Sequence, residues 1–191
     1  WGLAISIFFC LKWLTWFRVV SREKGAGGPR SLAYLFAWPG MDAAAFLRAD
    51  ARVKPPKPSA WMAASAKLLL GVLLIWVAVP RIPSGLPLVR AWLGGAGLLF
   101  LLHFGIFHLL ALAWQKSGIP ARHIFESPLL ARSLGDFWGR RWNLAFHQLV
   151  LEFLYRPLKD KGNGKGRVRP ELSLLAAFAI SGLVHDGVIS L

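Results

Sequence analysis

The chain is poor in cysteine and in acid. Cys10 is its one cysteine in 191 residues, which excludes an intrachain disulfide and any metal site built on clustered thiolates. Nine Asp and Glu face 23 Lys and Arg, for a formal charge of +14. Charged residues of both signs amount to 17%, where a soluble domain carries about a quarter. Two familiar catalytic signatures are also missing. No G-x-S-x-G elbow is present to expose a nucleophilic serine. The run "GNGKG" at 162–166 follows no strand signal and sits in a basic loop, so it is no nucleotide-phosphate loop. No internal repeat is visible.

What the chain has in quantity is apolar surface, 55% of its residues, and it comes in long runs. A helix crosses a bilayer with about 20 largely apolar residues. Four runs approach that length: 1–17, 61–79 with Lys67 near one end, 92–114 with no formal charge, and 172–191. Tryptophans mark several of their ends, where aromatic rings settle at the headgroup level. The first run is no signal peptide, because it lacks a basic leader and Lys12 interrupts it. The chain starts at Trp1 and stops inside an apolar run, so a fragment truncated at both ends is expected. The expected fold is all-α: a polytopic transmembrane helical protein, with about four spans plus a re-entrant or interfacial helix, forming one membrane-embedded domain over 1–191.

The positive charge lies between the apolar runs. That arrangement suits loops at an anionic membrane surface and argues against nucleic acid as the partner. Arg18, Arg22, Lys24, Arg30, Arg48, Arg52, Lys54 and Lys57 in the 18–58 loop are opposed by Glu23, Asp42 and Asp50, which makes this loop cytoplasmic. The link 80–90 then lies outside. Within 115–170, basic clusters flank the apolar segment "NLAFHQLVLEFLY" at 143–155 on both sides. This segment reaches about 20 Å as a helix, against a hydrocarbon core of about 30 Å. Length and charge both predict that it dips in or lies along the interface, with 115–170 staying cytoplasmic. The stretch "AWPGMDAAAFL" at 37–47 reads as a turn at Pro39-Gly40 and a short helix capped by Asp42.

Five histidines are candidates for chemistry. His185 lies fifteen residues past Pro170, so a helix would carry it about 20 Å in from the cytoplasmic edge. An ionisable group at that depth is a functional candidate, although a histidine bridging two helices is the plainer alternative. Ser181 and Gly182 share its helical face. His103 and His108 are five apart, a poor spacing for one metal, and read as packing residues. His123 falls in a loop and is expected to be solvated. His147 follows Asn143 by four residues, so the two are expected on one helical face.

The stretch "SLGDFWGRRWNLAF" at 133–146 is polar among apolar neighbours. Arg140 and Arg141 point in different directions on a helix. One can meet a phosphate while the other pairs with Asp136, four residues before Arg140. Phe137, Trp138 and Trp142 are suited to anchoring at the interface, and Asn143 closes the cluster. An amphipathic interfacial helix with no catalytic role has the same pattern.

"SLGDFWGRRWN", followed by "SGLVHD" inside an apolar helix, resembles the membrane-bound O-acyltransferases, their wax-synthase-like branch in particular. "RPL" at 156–158 fits that branch, and "AWPGMD" at 37–42 does so more weakly. The resemblance implies a multi-helix membrane enzyme that moves an acyl group from a thioester, usually acyl-CoA, to a hydroxyl. The family's presumed catalytic histidine matches His185 and its loop asparagine matches Asn143. Here tryptophans flank "GRR", where some branches have another aromatic and acidic pattern, a departure that bears on the acceptor. The expected partners are therefore acyl-CoA as co-substrate, a long-chain alcohol and membrane lipids, with no bound cofactor and no metal. Neutral His185 would take the hydroxyl proton and Asn143 would stabilise the oxyanion. Trp138, Arg140, Arg141, Trp142 and Ser181 would contact substrate. Two alternatives stand beside this: an O-acetyltransferase of a glycan or small alcohol, and a non-enzymatic transporter or scaffold.

Overall fold

In hydrocarbon every backbone polar group needs a partner within its own segment, so long apolar runs become helices. A computed structural model of the chain describes residues 2–22, 28–48 and 53–156, together with 172, 175–176, 178–180 and 182–183. The described residues are helical or connecting, and no strand occurs among them. The first helix, α1, covers Gly2–Val20. Two short helices follow, α2 (Pro29–Ala37) and α3 (Ala43–Leu47). The long helices α4 (Pro58–Arg81) and α5 (Pro87–Lys116) come next. Both open on a proline, whose missing N–H costs nothing in the first turn. They therefore begin three to five residues earlier than the apolar runs, which start at Trp61 and Trp92. Asp42 caps α3 as expected, its carboxylate accepting from the Ala45 N–H at 2.9 Å.

Helices α1, α4 and α5 are long and apolar enough to cross a membrane, with mean hydropathies of 1.7, 2.2 and 2.1. Little of their surface is covered within the chain. Phe9, Trp13, Leu69, Leu73, Trp76 and Leu98 are all exposed, as lipid-facing or helix-facing residues would be. This is a helical membrane protein. Most of the expected fourth span, 172–191, lies outside the described residues.

α4 and α5 pack antiparallel along a seam of glycines. A Cβ on Gly71 would run into the Leu101 backbone, and one on Gly105 would come within 2.8 Å of the Leu68 Cα. Small residues at such seams let backbones approach where no hydrophobic driving force exists. Each helix contains a wider π-helical stretch near the seam, Leu74–Ala78 in α4 and Leu99–Ile106 in α5.

The chain's own core lies at one end of these helices. Tyr34 and Phe46 are fully buried there, joined by Trp38, Met41, Leu47, Ile119 and Phe125. Val19 of α1 and Trp114 of α5 pack onto the same cluster. The Trp114 indole donates to the Ala37 carbonyl at 3.1 Å and meets the Phe46 ring edge-on at 5.3 Å. The basic connections after α1 and after α5 therefore share one end of the bundle, and the 82–86 link occupies the other.

Lys12, which interrupts the first apolar run, is fully buried. Its Nζ donates to the Gly40 carbonyl and sits 3.4 Å from the centre of the Tyr34 ring. The Tyr34 hydroxyl in turn lies 2.7 Å from the Thr15 hydroxyl. An amine that cannot reach water is met by a carbonyl and an aromatic face. The result ties α1 to α2 and to the Pro39-Gly40 turn.

Candidate functional site

The polar stretch after α5 folds into two short helices. In α6 (134–141), Ser133 caps the start by accepting from the Asp136 N–H at 3.0 Å. From Phe137 to Arg141 the turn is π-helical, closed by the Trp142 N–H to the Phe137 carbonyl at 2.8 Å. A π turn brings residues five apart into register. The four-residue spacing from Asp136 to Arg140 is thus not the one used. Arg141 pairs with Asp136, Nε to Oδ2 at 2.7 Å. The Arg141 guanidinium also donates to the carbonyls of Glu126 and Ser127, at 3.3 and 3.2 Å. The hydrogen bond from Arg141, with one from the Arg132 N–H, holds the Asp136 carboxyl below its ordinary range.

Two backbone bonds sew the preceding loop to this motif. The Glu126 N–H donates to the Arg141 carbonyl at 2.8 Å, and the Leu144 N–H to the Ile124 carbonyl at 2.9 Å. Asn143 follows with φ of 42°, a left-handed conformation that asparagine tolerates. It caps α7 (144–155), its Oδ1 accepting from the Phe146 N–H at 3.3 Å. The apolar segment therefore starts one residue later than 143. The His147 N–H makes the first helical hydrogen bond back to the Asn143 carbonyl, at 3.0 Å. The amide nitrogen of Asn143 donates to none of the described residues. Ala145 and Leu149 of α7 enter the core.

A cavity of about 430 Å³ opens between the 38–42 turn, the 120–124 loop, α6 and α7. Its basic lining comes from three segments: Arg122 from the loop, Arg140 from α6 and Arg156 after α7. None of the three forms an ion pair with a carboxylate of the described residues. Two acids are also on the wall. Asp42 has one oxygen in its cap and the other accepting from the Gln148 amide at 3.1 Å. Glu152 leans toward Arg18, 3.9 Å away.

His123 and His147 complete the polar lining. His123 was expected in solvent and is instead half-buried, its ring centre 4.1 Å from that of His108. The cause lies in its neighbours. Ile119, Ile124 and Phe125 are buried, and they pull the loop back against α5. Burial holds both His123 and His147 below the ordinary histidine range, so each is neutral at pH 7. The Nδ1 of His123 has no partner among the described residues. His103 packs edge-on against Phe125 and Phe107, with ring centres 4.9 and 5.5 Å away.

The other expected site residues separate. Arg140 faces the cavity. Arg141 is engaged by Asp136 and two carbonyls. Trp142 stacks on Phe137 at 5.3 Å and abuts Phe125 edge-on, inside the packed region. Trp138 is exposed and meets Phe178, in the fourth apolar run, at 6.3 Å. Asn143 is not on the cavity wall, although Leu144 and Ala145 are. His185 and Ser181 lie outside the described residues. Arg122, Arg156 and His123 were not singled out from spacing. The available hint was the "RPL" tail that begins at Arg156.

Residues 121–190 match the membrane bound O-acyl transferase family. A long-chain-alcohol O-fatty-acyltransferase of Simmondsia chinensis is 42% identical over 64 residues, which is 32% of this chain and 18% of that protein. A probable long-chain-alcohol O-fatty-acyltransferase of Arabidopsis thaliana is 32% identical over 144 residues, 69% of this chain and 39% of the relative. An acyl-CoA–sterol O-acyltransferase of Arabidopsis thaliana is 36% identical over 63 residues, 32% of this chain and 18% of the relative. The chain thus spans from about a fifth to two fifths of the length of these relatives. No solved structure matches. The matched segment begins one residue before Arg122 and contains α6, α7 and the whole polar motif. The similarity to the membrane bound O-acyl transferase family, and to relatives named as long-chain-alcohol O-fatty-acyltransferases, is thus what the comparisons give for this chain.

Proposed function

We propose that the full-length protein transfers an acyl group from acyl-CoA to the hydroxyl of a long-chain alcohol, with the basic loops cytoplasmic. The observation that carries this reading is the family-matched segment folded around an arginine-lined cavity, at the loop-bearing end of the apolar helices. A water-soluble thioester carrier would approach from that end, and an acyl chain and a lipid alcohol from the bilayer. In the reaction, the hydroxyl oxygen attacks the thioester carbonyl. The C–O bond forms, the C–S bond breaks, and the CoA thiolate leaves. His185, in the fourth apolar run of the sequence, is the proposed base that takes the hydroxyl proton and returns it to the thiolate. The unengaged amide of Asn143 is the proposed donor to the carbonyl oxygen as charge develops there, a contribution of about 3 kcal/mol. The chain's similarity to long-chain-alcohol acyltransferases favours a lipid alcohol over a glycan acceptor.

The test is an assay of the full-length protein in membranes with labelled acyl-CoA and a panel of a long-chain alcohol, a sterol and a small alcohol. The sterol belongs there because a sterol acyltransferase matches this chain at 36% identity. Labelled wax ester is the expected product, reduced at least a hundredfold by His185→Ala and by Asn143→Ala. Full activity of His185→Ala would remove it as the base. No product with any acceptor, together with proton-coupled flux, would replace the enzyme by a transporter.

A further inference from the structure

Arg122, Arg140 and Arg156 come from separate segments of the chain and line one cavity of about 430 Å³. Such a volume falls within the range of about 300–1,000 Å³ that small-molecule sites occupy. The carboxylates on its wall already have partners, and so does the arginine next to Arg140. Asp42 accepts two hydrogen bonds, Glu152 leans to Arg18, and Arg141, the fourth nearby arginine, is tied to Asp136 and two carbonyls. The two wall histidines are neutral at pH 7. The three arginines are exposed and in no ion pair with a described carboxylate, so their donors are available to an anion of several charges in the cavity. The planar donors of arginine suit phosphoryl oxygens, which they engage in pairs.

We infer that Arg122, Arg140 and Arg156 form a polyphosphate-binding site for the nucleotide portion of the thioester carrier, so that the cavity between the 38–42 turn and α7 holds its phosphates. This rests on the acyl-CoA reading above and adds residues and a location to it. The neighbouring wall of Leu144, Ala145 and Leu151 is apolar, so the carrier's thioester arm has a non-polar path away from the arginines. The two backbone bonds from the 124–126 loop to the 141–144 stretch hold Arg122 and Arg140 in a fixed relation before any ligand arrives.

The experiment uses the full-length protein in phosphatidylcholine nanodiscs. Binding of radiolabelled CoA is measured in the wild type and in Arg122→Gln, Arg140→Gln, Arg156→Gln and the triple variant. Arg90→Gln, at the opposite end of the bundle, controls for loss of charge alone, and thermal unfolding checks that each variant is folded. The expected result is about tenfold weaker CoA binding for each single cavity variant, unchanged binding for Arg90→Gln, and competition by inorganic pyrophosphate. Arg→Lys at the same positions should recover only part of the affinity. In the transfer assay, the KM for acyl-CoA should rise by a similar factor while kcat and the KM for alcohol stay within about twofold. CoA binding by the folded triple variant at wild-type strength would overturn the inference. So would phosphatidylglycerol in the nanodisc displacing CoA as well as pyrophosphate does, because the site would then hold lipid headgroups. Arginine-dependent CoA binding without acyl transfer to any alcohol would instead overturn the proposed function and leave this site standing. Acyl transfer with an unaltered KM in the triple variant would do the reverse.

Discussion

Individual side chains in this chain do work that their neighbours in sequence do not announce. Lys12 sits in an apolar helix, yet it is fully buried and bound to the Gly40 carbonyl and the Tyr34 ring. Lys12→Met should leave that carbonyl without its donor and lower stability by about 1–3 kcal/mol. In a protein of this size that is a fall of several degrees in thermal midpoint, measurable in detergent micelles. His123 predicts a pH dependence. Its folded pKa is depressed by burial and by Lys67, against an opposing pull from Glu126. A histidine depressed in the fold binds fewer protons there than in the unfolded chain. Its contribution is therefore complete above the unfolded value of about 6.5 and shrinks as pH falls below it. His147 acts with the same sign. Asp136, depressed as an acid, loses its contribution only at pH below the ordinary carboxylate range. The midpoint of thermal unfolding should thus drop between pH 7.5 and 5, and His123→Asn should flatten that drop. An equal drop in the variant would assign the effect to other groups.

At the scale of elements, the long helices were legible because apolar length is a one-dimensional property. Their prolines at Pro58 and Pro87 shifted the starts, a local cap effect that an apolar count ignores. The pairing inside α6 was not legible. It depends on whether the turn closes over four residues or five, and the π turn from Phe137 to Arg141 chose Arg141 over Arg140. The depth of His123 was hidden for a related reason, since loop residues far from it in character, Ile119 and Phe125, decide where it lies. The cavity arginines could not be grouped from spacing, as only the fold puts Arg122, Arg140 and Arg156 on the wall of one cavity. The glycine seam between α4 and α5 yields a graded prediction. Gly71→Ala meets the Leu101 backbone and Gly105→Ala meets the Leu68 Cα, neither of which can yield, so each should cost about 1–3 kcal/mol. Gly97→Ala meets the Ile75 Cγ1 at 2.7 Å and the Leu74 Cβ at 3.2 Å, side-chain atoms rather than the backbone atoms met at Gly71 and Gly105, so its cost should be smaller. Steric-trap unfolding in bicelles would order the three, and a Gly97 effect as large as that at Gly105 would contradict the seam.

For the whole molecule, the arrangement places the basic loops together at one end and the 82–86 link at the other. Cys10 is the one cysteine among these 191 residues, so a Cys10→Ala background leaves them free for site-specific labels. In sealed vesicles, a membrane-impermeant maleimide should label Ser84→Cys and Ser127→Cys from opposite sides, with Ser127→Cys on the cytoplasmic side. Labelling of both from one side would contradict the topology. The short link has a further consequence. Only five residues, 82–86, separate α4 from α5, and the two helices close on each other through Gly71, Gly97 and Gly105. The charge of Lys67 is half-covered near His108 once α5 is alongside. During synthesis, α4 would therefore enter the bilayer together with α5 as a preassembled hairpin, and lengthening the link should delay insertion at the translocon more than it weakens the finished protein.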